Sequence, residues 1–69
     1  MEDWRSIIGQ NVRKHRKARA LTQEQLAHDV GLDLTYIGGI ERGRRNPTLL
    51  VIVRIAVVLN VEVEQLLER

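Results

Sequence analysis

The feature that most constrains the fold is a segment of two short predicted helices joined by a turn, TQEQLAHDVGLDLTYIGGIERG, residues 22–43. Thr22 is expected to cap the first helix of this pair, because Gln25 stands three residues later and can complete a capping box. Asp33 is expected to cap the second helix with its side chain. Gly31 lies between them, where a glycine can adopt the positive φ that closes a helix. The spacing predicts a helix-turn-helix.

The rest of the chain predicts further helices around this unit. Apolar residues follow a helical period throughout and show no strand-like alternation, so the predicted class is all-α. Helices this short are unstable alone and must pack on other elements. We expect one compact domain of five helices over residues 1–69, with the helix-turn-helix at about 22–42. Helices four and five are expected at about 48–68, where they complete the core and mediate dimerisation.

The first helix is predicted from about Asp3 to Ala18. Its apolar face consists of Trp4, Ile8, Val12 and His15. Two interpretations of His15 compete, a half-buried ring that fills an aliphatic slot and a functional group that titrates. The first is favoured because the chain has no cysteine to share in metal binding. No metal site is predicted.

The fourth helix is predicted to begin after Pro47, with Thr48 as its N-cap, and to end near Asn60. Its core-facing arc is expected to consist of Leu49, Ile52, Ile55, Ala56 and Leu59. A second apolar stripe consists of Leu50, Val53 and Val57. Val63 and Leu67 of a short fifth helix can extend this stripe, and we expect a homodimer interface there. An ordinary exposed face is the alternative, since single apolar residues are common on protein surfaces.

Charge is distributed unevenly along the chain. The formal net charge is only +2, yet nine of the eleven Lys and Arg residues precede Pro47. Three acidic residues lie near the C-terminal end of the sequence, Glu62, Glu64 and Glu68. A basic face is typical of proteins that bind phosphate groups, although it can also serve solubility alone.

The sequence carries no pattern typical of an enzyme or a membrane protein. Ser6 is the only serine, and neither a cysteine nor a phosphate-binding glycine loop is found. The longest apolar run, residues 49–59, is interrupted by Arg54, the main solvent-facing position of its helix, and is too short to span a bilayer. No signal peptide is recognised. We therefore expect a cytoplasmic, nucleoid-associated protein that is not an enzyme and takes no cofactor, metal or small-molecule ligand.

An ordered series of short motifs occupies residues 21–49, LTQEQLAHDVGLDLTYIGGIERGRRNPTL. The series is TQ, LA, VGL, YI, IERG and NPTL, followed by IA and LNV. At these spacings the chain resembles the phage-repressor and Cro type of helix-turn-helix protein, the Xre family, with its lambda-repressor-like fold. It also looks like the controller proteins of restriction-modification systems. The resemblance implies a transcriptional regulator that binds double-stranded DNA as a homodimer on a pseudo-palindromic operator.

The resemblance also implies roles for individual residues. Those expected to face base edges are Asp33, Leu34, Thr35, Tyr36 and Gly39. Those expected to bind phosphates are Thr22, Gln23, Arg42, Arg44, Arg45 and Asn46. In the family an arginine of the first helix pairs with the glutamate that ends the recognition helix. This implies a buried ion pair between Arg16 and Glu41.

Several positions depart from the family pattern. Leu34 stands where controller proteins tend to carry a long polar residue and Gly39 where several phage repressors carry Gln, so direct base readout is expected to be thin. Gly38 and Gly39 each destabilise a helix by about 0.8–1 kcal/mol relative to Ala. Close approach of DNA or of a neighbouring helix could offset this cost; the alternative is an unconstrained, exposed position. Ala20 and Asn60 replace glycines common at helix ends in the family, which predicts slight strain in both turns.

Three functions are consistent with these residues. The first is the operator-binding regulator. The second is the antitoxin of a toxin–antitoxin pair, and the third is a protein-interaction module that has kept the fold without DNA binding. DNA binding is favoured over the interaction module by Gln23 and by the cluster of Arg42, Arg44 and Arg45. An interaction module does not need hydrogen-bond donors around a helix that fits the DNA major groove.

Overall fold

The computed structural model describes residues 3–69, and all regular structure in that range is helical. The predicted all-α class with five helices is confirmed. The helices are α1 (Trp4–Ala18), α2 (Gln23–Val30), α3 (Leu34–Glu41), α4 (Leu49–Leu59) and α5 (Val63–Leu66). The helix-turn-helix is formed by α2 and α3.

Side chains cap the starts of the helices as the sequence predicts. The Thr22 hydroxyl accepts from the Gln25 backbone N–H at 3.0 Å, and the Thr22 N–H donates to Gln25 Oε1 at 2.8 Å. Asp33 and Thr48 each accept a hydrogen bond from a backbone N–H in the first turn of α3 and α4. These bonds satisfy amides that have no partner inside their helix, which fixes where each helix begins.

The ends of the helices use the left-handed conformation. Gly31 closes α2 with a φ of 80°, and Asn60 closes α4 with a φ of 57°. Ala20, in the turn after α1, also has a positive φ, 56°. Alanine pays roughly 1–2 kcal/mol for this conformation, so the expected strain is located mainly in the turn between α1 and α2.

The core lies where all five helices meet. Its largest fully buried side chains are Leu26, Ile37, Ile40, Ile55, Leu59, Leu66 and Val12. The helix-turn-helix is held from both sides, because α1 packs on α3 and α4 packs on α2. His15 is half-buried, as the sequence favours.

Two residues of the predicted apolar faces are exposed instead, and the assignment of Leu49 to the core was wrong. Trp4 is 47% exposed and Leu49 is 67% exposed. Each stands in the first turn of its helix, whereas the buried residues of α1 and α4 begin at Ile8 and Ile52. Helical periodicity gives the direction of a side chain but not the point along the helix where its neighbours end.

Two contacts that the sequence did not reveal fix α1 against the rest. A Cβ on Gly9 would lie 2.2 Å from the Ile40 carbonyl oxygen, so the glycine allows the backbones of α1 and α3 to meet. The buried Asn11 donates from Nδ2 to the carbonyl oxygens of Leu66, at 3.0 Å, and Glu68, at 2.7 Å. Asn11 thereby anchors the C-terminal helix, which is a single turn.

Candidate nucleic-acid interface

The start of α3 is presented to solvent while its far side is buried. Leu34, Thr35 and the capping residue Asp33 are exposed, whereas Ile37 and Ile40 are fully buried. An α-helix held by one face in this way has the width of the DNA major groove. Of the two exposed residues of α3, only Thr35 has a side chain that can form hydrogen bonds, and the Asp33 carboxylate accepts one from the Thr35 backbone N–H at 3.0 Å.

The second turn of α3 is covered by arginine side chains from the loop that follows it. Gly38 and Gly39 are both buried. A Cβ on Gly39 would lie 2.6 Å from Arg45 Cγ, and a Cβ on Gly38 would lie 3.0 Å from Arg42 Nη1. The absence of a side chain at the two glycines therefore makes room for two arginines. Gly39 is covered by the side chain of Arg45 and does not itself form the surface. An exposed, unconstrained position at Gly39 was the wrong alternative.

Arg45 lies among the residues expected to read bases. Its guanidinium carbon is 5.8 Å from the centre of the half-buried Tyr36 ring, a cation–π distance. The sequence placed Arg45 with the phosphate-binding residues, but the structure brings its charge beside Tyr36 at the exposed face of α3. Arg45 is thus a long polar side chain beside Tyr36 and above Gly39.

The backbone of the loop is fixed to the end of α3. The Arg44 N–H donates to the Gly39 carbonyl at 2.9 Å, and Gly43 has a φ of 73°. This turn directs the chain back along the helix, since an orphan carbonyl of the last turn gains a donor. Arg42, Arg44, Arg45 and Asn46 are all exposed there, which leaves their charged and amide groups accessible.

A buried ion pair joins α1 to the end of α3. Arg16 contacts Glu41 through two parallel hydrogen bonds, Nε to Oε2 at 2.7 Å and Nη2 to Oε1 at 3.0 Å. The remaining Arg16 nitrogen, Nη1, donates to the Leu21 carbonyl at 2.8 Å. Both residues are only 8% exposed, so the pair is shielded from water and fixes the geometry of α3 rather than contacting a ligand.

Gln23 joins this ion pair. Its Nε2 donates to Glu41 Oε1 at 2.9 Å, so the first residue of α2 is fixed to the last residue of α3. The Gln23 side-chain amide, expected to bind a phosphate, is thus already hydrogen-bonded within the protein. This bond fixes its position at the start of α2. Thr22, the other residue expected to contact phosphate at this helix start, is exposed and uses its hydroxyl as the helix cap.

A second surface, which we call the apolar stripe, lies on α4 and α5. Its exposed members are Leu49, Leu50, Val53, Val57 and Leu67, with Leu50 and Val57 more than 70% exposed. Val63 is half-buried at its edge. Leu49 belongs to this surface although the sequence assigned it to the core.

The described residues contain neither a cluster of metal-binding side chains nor a long apolar helix. No group of three or more His, Cys, Asp or Glu residues between positions 3 and 69 could hold a metal ion. None of the five helices is long and apolar enough to cross a membrane.

An α2 fixed to the end of α3, an exposed start of α3 and a basic loop together define a helix-turn-helix protein. A family model described as helix-turn-helix matches residues 12–66 of the chain. The chain belongs to this family, in its Xre type.

Individual relatives match over most of the chain. The control protein C.SmaI of Serratia marcescens is 46% identical over 67 residues, which is 97% of this chain and 80% of that protein. The restriction-modification controller protein C.AhdI from Aeromonas hydrophila has a crystal structure with a TM-score of 0.86 at 44% identity, covering 90% of this chain and 94% of that one. SinR, known from Bacillus subtilis, matches with a TM-score of 0.84 and 32% identity in its crystal structure with DNA, over 88% of this chain and 98% of that one.

Proposed function

We propose that the chain is a sequence-specific, DNA-binding transcriptional regulator of the controller type, acting as a homodimer on a pseudo-palindromic operator. The observation that carries the proposal is the exposed start of α3 beside an accessible basic loop, with α3 fixed from behind by Arg16 and Glu41. The family is one of DNA-binding regulators, and its similar members include controller proteins and a regulator crystallised with DNA. The chain acts in the cytoplasm at the nucleoid, without a catalytic activity, cofactor or small-molecule ligand.

In this proposal α3 enters the major groove. Asp33, Leu34, Thr35 and Tyr36 face base edges, and Leu34 and Thr35 can contact thymine methyl groups. Arg45 extends along the same face from above Gly39. A guanidinium can bind a guanine edge through two hydrogen bonds, a contact worth about 1–3 kcal/mol of discrimination. Arg45 therefore contacts bases as well as phosphates in this proposal.

Phosphate contacts flank the helix on both sides. Thr22 and Gln23 lie at the start of α2, where the positive end of the helix favours an anion. Arg42, Arg44 and Asn46 lie on the loop at the other side. Contacts of this kind fix the orientation of the protein on the duplex without reading its sequence.

The homodimer forms through the apolar stripe. Leu50, Val53 and Val57 repeat at spacings of three and four along α4, and Leu67, directly after α5, continues the surface. A two-fold axis through such a surface buries it twice and places two α3 helices about one turn of DNA, ~34 Å, apart. The free energy of apolar burial is offset in large part by the cost of association, so the dimer is reversible.

Selection from a random-sequence DNA library, followed by footprinting, tests the function. We expect enriched sequences with two inverted half-sites whose centres are separated by about 10 base pairs. Selection with an Arg44→Ala, Arg45→Ala variant is the matched control and should enrich no motif. If the parent protein enriches no sequence, the interaction module is favoured. If it enriches single half-sites, binding as a homodimer is refuted.

A further inference from the structure

Arg54 connects α4 to the turn of the helix-turn-helix. It is an exposed residue of α4, yet its Nη2 donates a hydrogen bond across to the carbonyl oxygen of Val30, the last residue of α2. The same nitrogen covers Gly31, because a Cβ built there would lie 3.0 Å from it. The sequence predicted Arg54 to be the main solvent-facing position of α4, but Leu50 and Val57 are exposed as well, and Arg54 makes a contact between two helices.

The position of this hydrogen bond makes it relevant to DNA reading. The Val30 carbonyl lies at the C-terminal, negative end of α2, where a cation is stabilising. Gly31 and the two residues after it are the whole connection between α2 and α3. A guanidinium held on that connection restricts the angle at which α3 leaves it.

Arg54 also borders the apolar stripe. Val53 precedes it, and Val57 lies one turn further along α4. These residues form a groove of about 260 Å³ between α2 and α4, lined by Asp29, Val30, Val53, Arg54, Val57 and Val58. A second copy of the chain seated on the stripe would lie at the edge of this groove and exclude water from it.

We propose that Arg54 is a positioning residue that couples pairing of the apolar stripes to the orientation of α3. This rests on the proposed homodimer. Exclusion of water lowers the local dielectric and strengthens the hydrogen bond from Arg54 to Val30. The turn at Gly31 is therefore held more firmly in the dimer than in the monomer, and each α3 of the dimer binds DNA more tightly than an isolated one. By reciprocity, operator binding stabilises the dimer.

The coupling is tested first in the parent protein without DNA. The backbone N–H groups of Gly31 and Leu32 donate to the Ala27 carbonyl, and their hydrogen exchange reports opening of the turn. We expect exchange at both amides to slow about tenfold between concentrations well below and well above the midpoint of dimerisation. Equal exchange in a monomer and a dimer that are both populated would overturn the coupling without touching the proposed function.

Variants then test Arg54 itself. Arg54→Met keeps an apolar stem but removes the donors, Arg54→Lys keeps a charge and a donor, and Lys14→Met removes one exposed charge from α1 as the matched control. At concentrations where sedimentation shows each variant to be dimeric, we expect Arg54→Met to bind the selected operator about tenfold more weakly than the Lys14→Met control. Binding to a random duplex should be equal in these two variants, and Arg54→Lys should recover part of the operator affinity.

The outcomes separate the two proposals. A parent protein that binds no operator or stays monomeric at high micromolar concentration refutes the homodimeric regulator. If the parent binds the operator and dimerises, but Arg54→Met binds the operator within twofold of the Lys14→Met control, only the role of Arg54 is overturned. The same conclusion follows if operator and random duplex lose affinity equally, since a positioning residue affects specific binding.

Discussion

Glu41 shows how one buried residue can organise a DNA-reading element from behind. Its carboxylate accepts hydrogen bonds from Arg16 and from Gln23, so α1, α2 and α3 meet at a single acidic group. The carboxylate itself is nearly inaccessible to solvent. Its contribution is therefore architectural.

Replacement of Glu41 by alanine should destabilise the protein severely. Removal of one partner leaves the Arg16 guanidinium buried without its counter-charge, which costs about 3–5 kcal/mol of unfolding free energy. Urea denaturation measures it, with the exposed Glu24→Ala as a control expected to change stability by about 0.5 kcal/mol or less. Unfolding of Glu41→Ala at the same urea concentration as the parent would contradict the architectural role.

Gly39 is the residue at which stability and function should separate. In Gly39→Ala the new Cβ would lie 2.6 Å from Arg45 Cγ, so Arg45 must adopt another χ1 rotamer; the cost of this shift offsets the gain in helix propensity of about 1 kcal/mol, and stability should change little. Operator affinity should fall by about 1–2 kcal/mol, because Arg45 leaves its place beside Tyr36. Thermal melts and fluorescence anisotropy give the two quantities.

A double variant identifies the cause of that loss. If Arg45 carries the effect, Arg45→Ala should cost no further operator affinity in the Gly39→Ala background. Gly38→Ala is the neighbouring control, since only the tip of Arg42 lies within reach of its Cβ. Additive losses from Gly39→Ala and Arg45→Ala would show that Gly39 contacts DNA by itself.

At the scale of elements, α4 and α5 have two faces with different roles. Ile52, Ile55 and Leu66 are buried in the core, whereas the opposite side carries the apolar stripe. α5 has four residues and could not form alone, so it depends on Leu66 and on the hydrogen bonds from Asn11. A dimer interface that includes Leu67 therefore also requires the burial of Leu66 and the hydrogen bonds from Asn11.

A charge in the middle of the stripe should prevent dimerisation while leaving the fold intact. Val53 is 37% exposed, so Val53→Glu can keep its carboxylate in water in the monomer but would bury it in the dimer. We expect a shift of the dimer dissociation constant by at least tenfold in sedimentation equilibrium. Gln10→Glu, on the exposed surface of α1, adds the same single negative charge and is the control. A Val53→Glu protein as dimeric as the parent would place the interface elsewhere.

At the scale of the whole molecule, basic and acidic groups are segregated along the chain. The exposed arginines of the loop lie beside α3, while Glu62, Glu64 and Glu68 are exposed near α5. This uneven distribution favours contact of a polyanion with the arginine loop over contact with the acidic residues around α5. Affinity for DNA is then expected to depend strongly on salt.

The salt dependence gives a quantitative check. If a dimer neutralises about 6–8 phosphates, the logarithm of the binding constant should fall against the logarithm of salt concentration with a slope of about −5 to −7. Arg44→Ala should flatten this slope, whereas Glu64→Gln, on the acidic side, should leave it unchanged. A slope near zero in the parent would be incompatible with binding through phosphates.

The helices and most of their boundaries could be predicted from local residue patterns. Caps depend on residues two or three positions apart, so Thr22 with Gln25, Asp33 and Thr48 could be recognised from spacing alone. The same holds for the left-handed end at Gly31. The meeting of Arg16 with Glu41 came from resemblance, since residues 25 positions apart have no local signal that joins them.

The contacts between helices could not be predicted in this way. Gly9 against Ile40, and Arg45 above Gly39, depend on how closely two backbone segments approach, which periodicity does not encode. Leu49 was misassigned because a helix can extend beyond the core that its later turns fill. Arg54 was visible as a charged residue in an apolar helix, but its acceptor, the Val30 carbonyl, is a backbone atom that no sequence pattern marks.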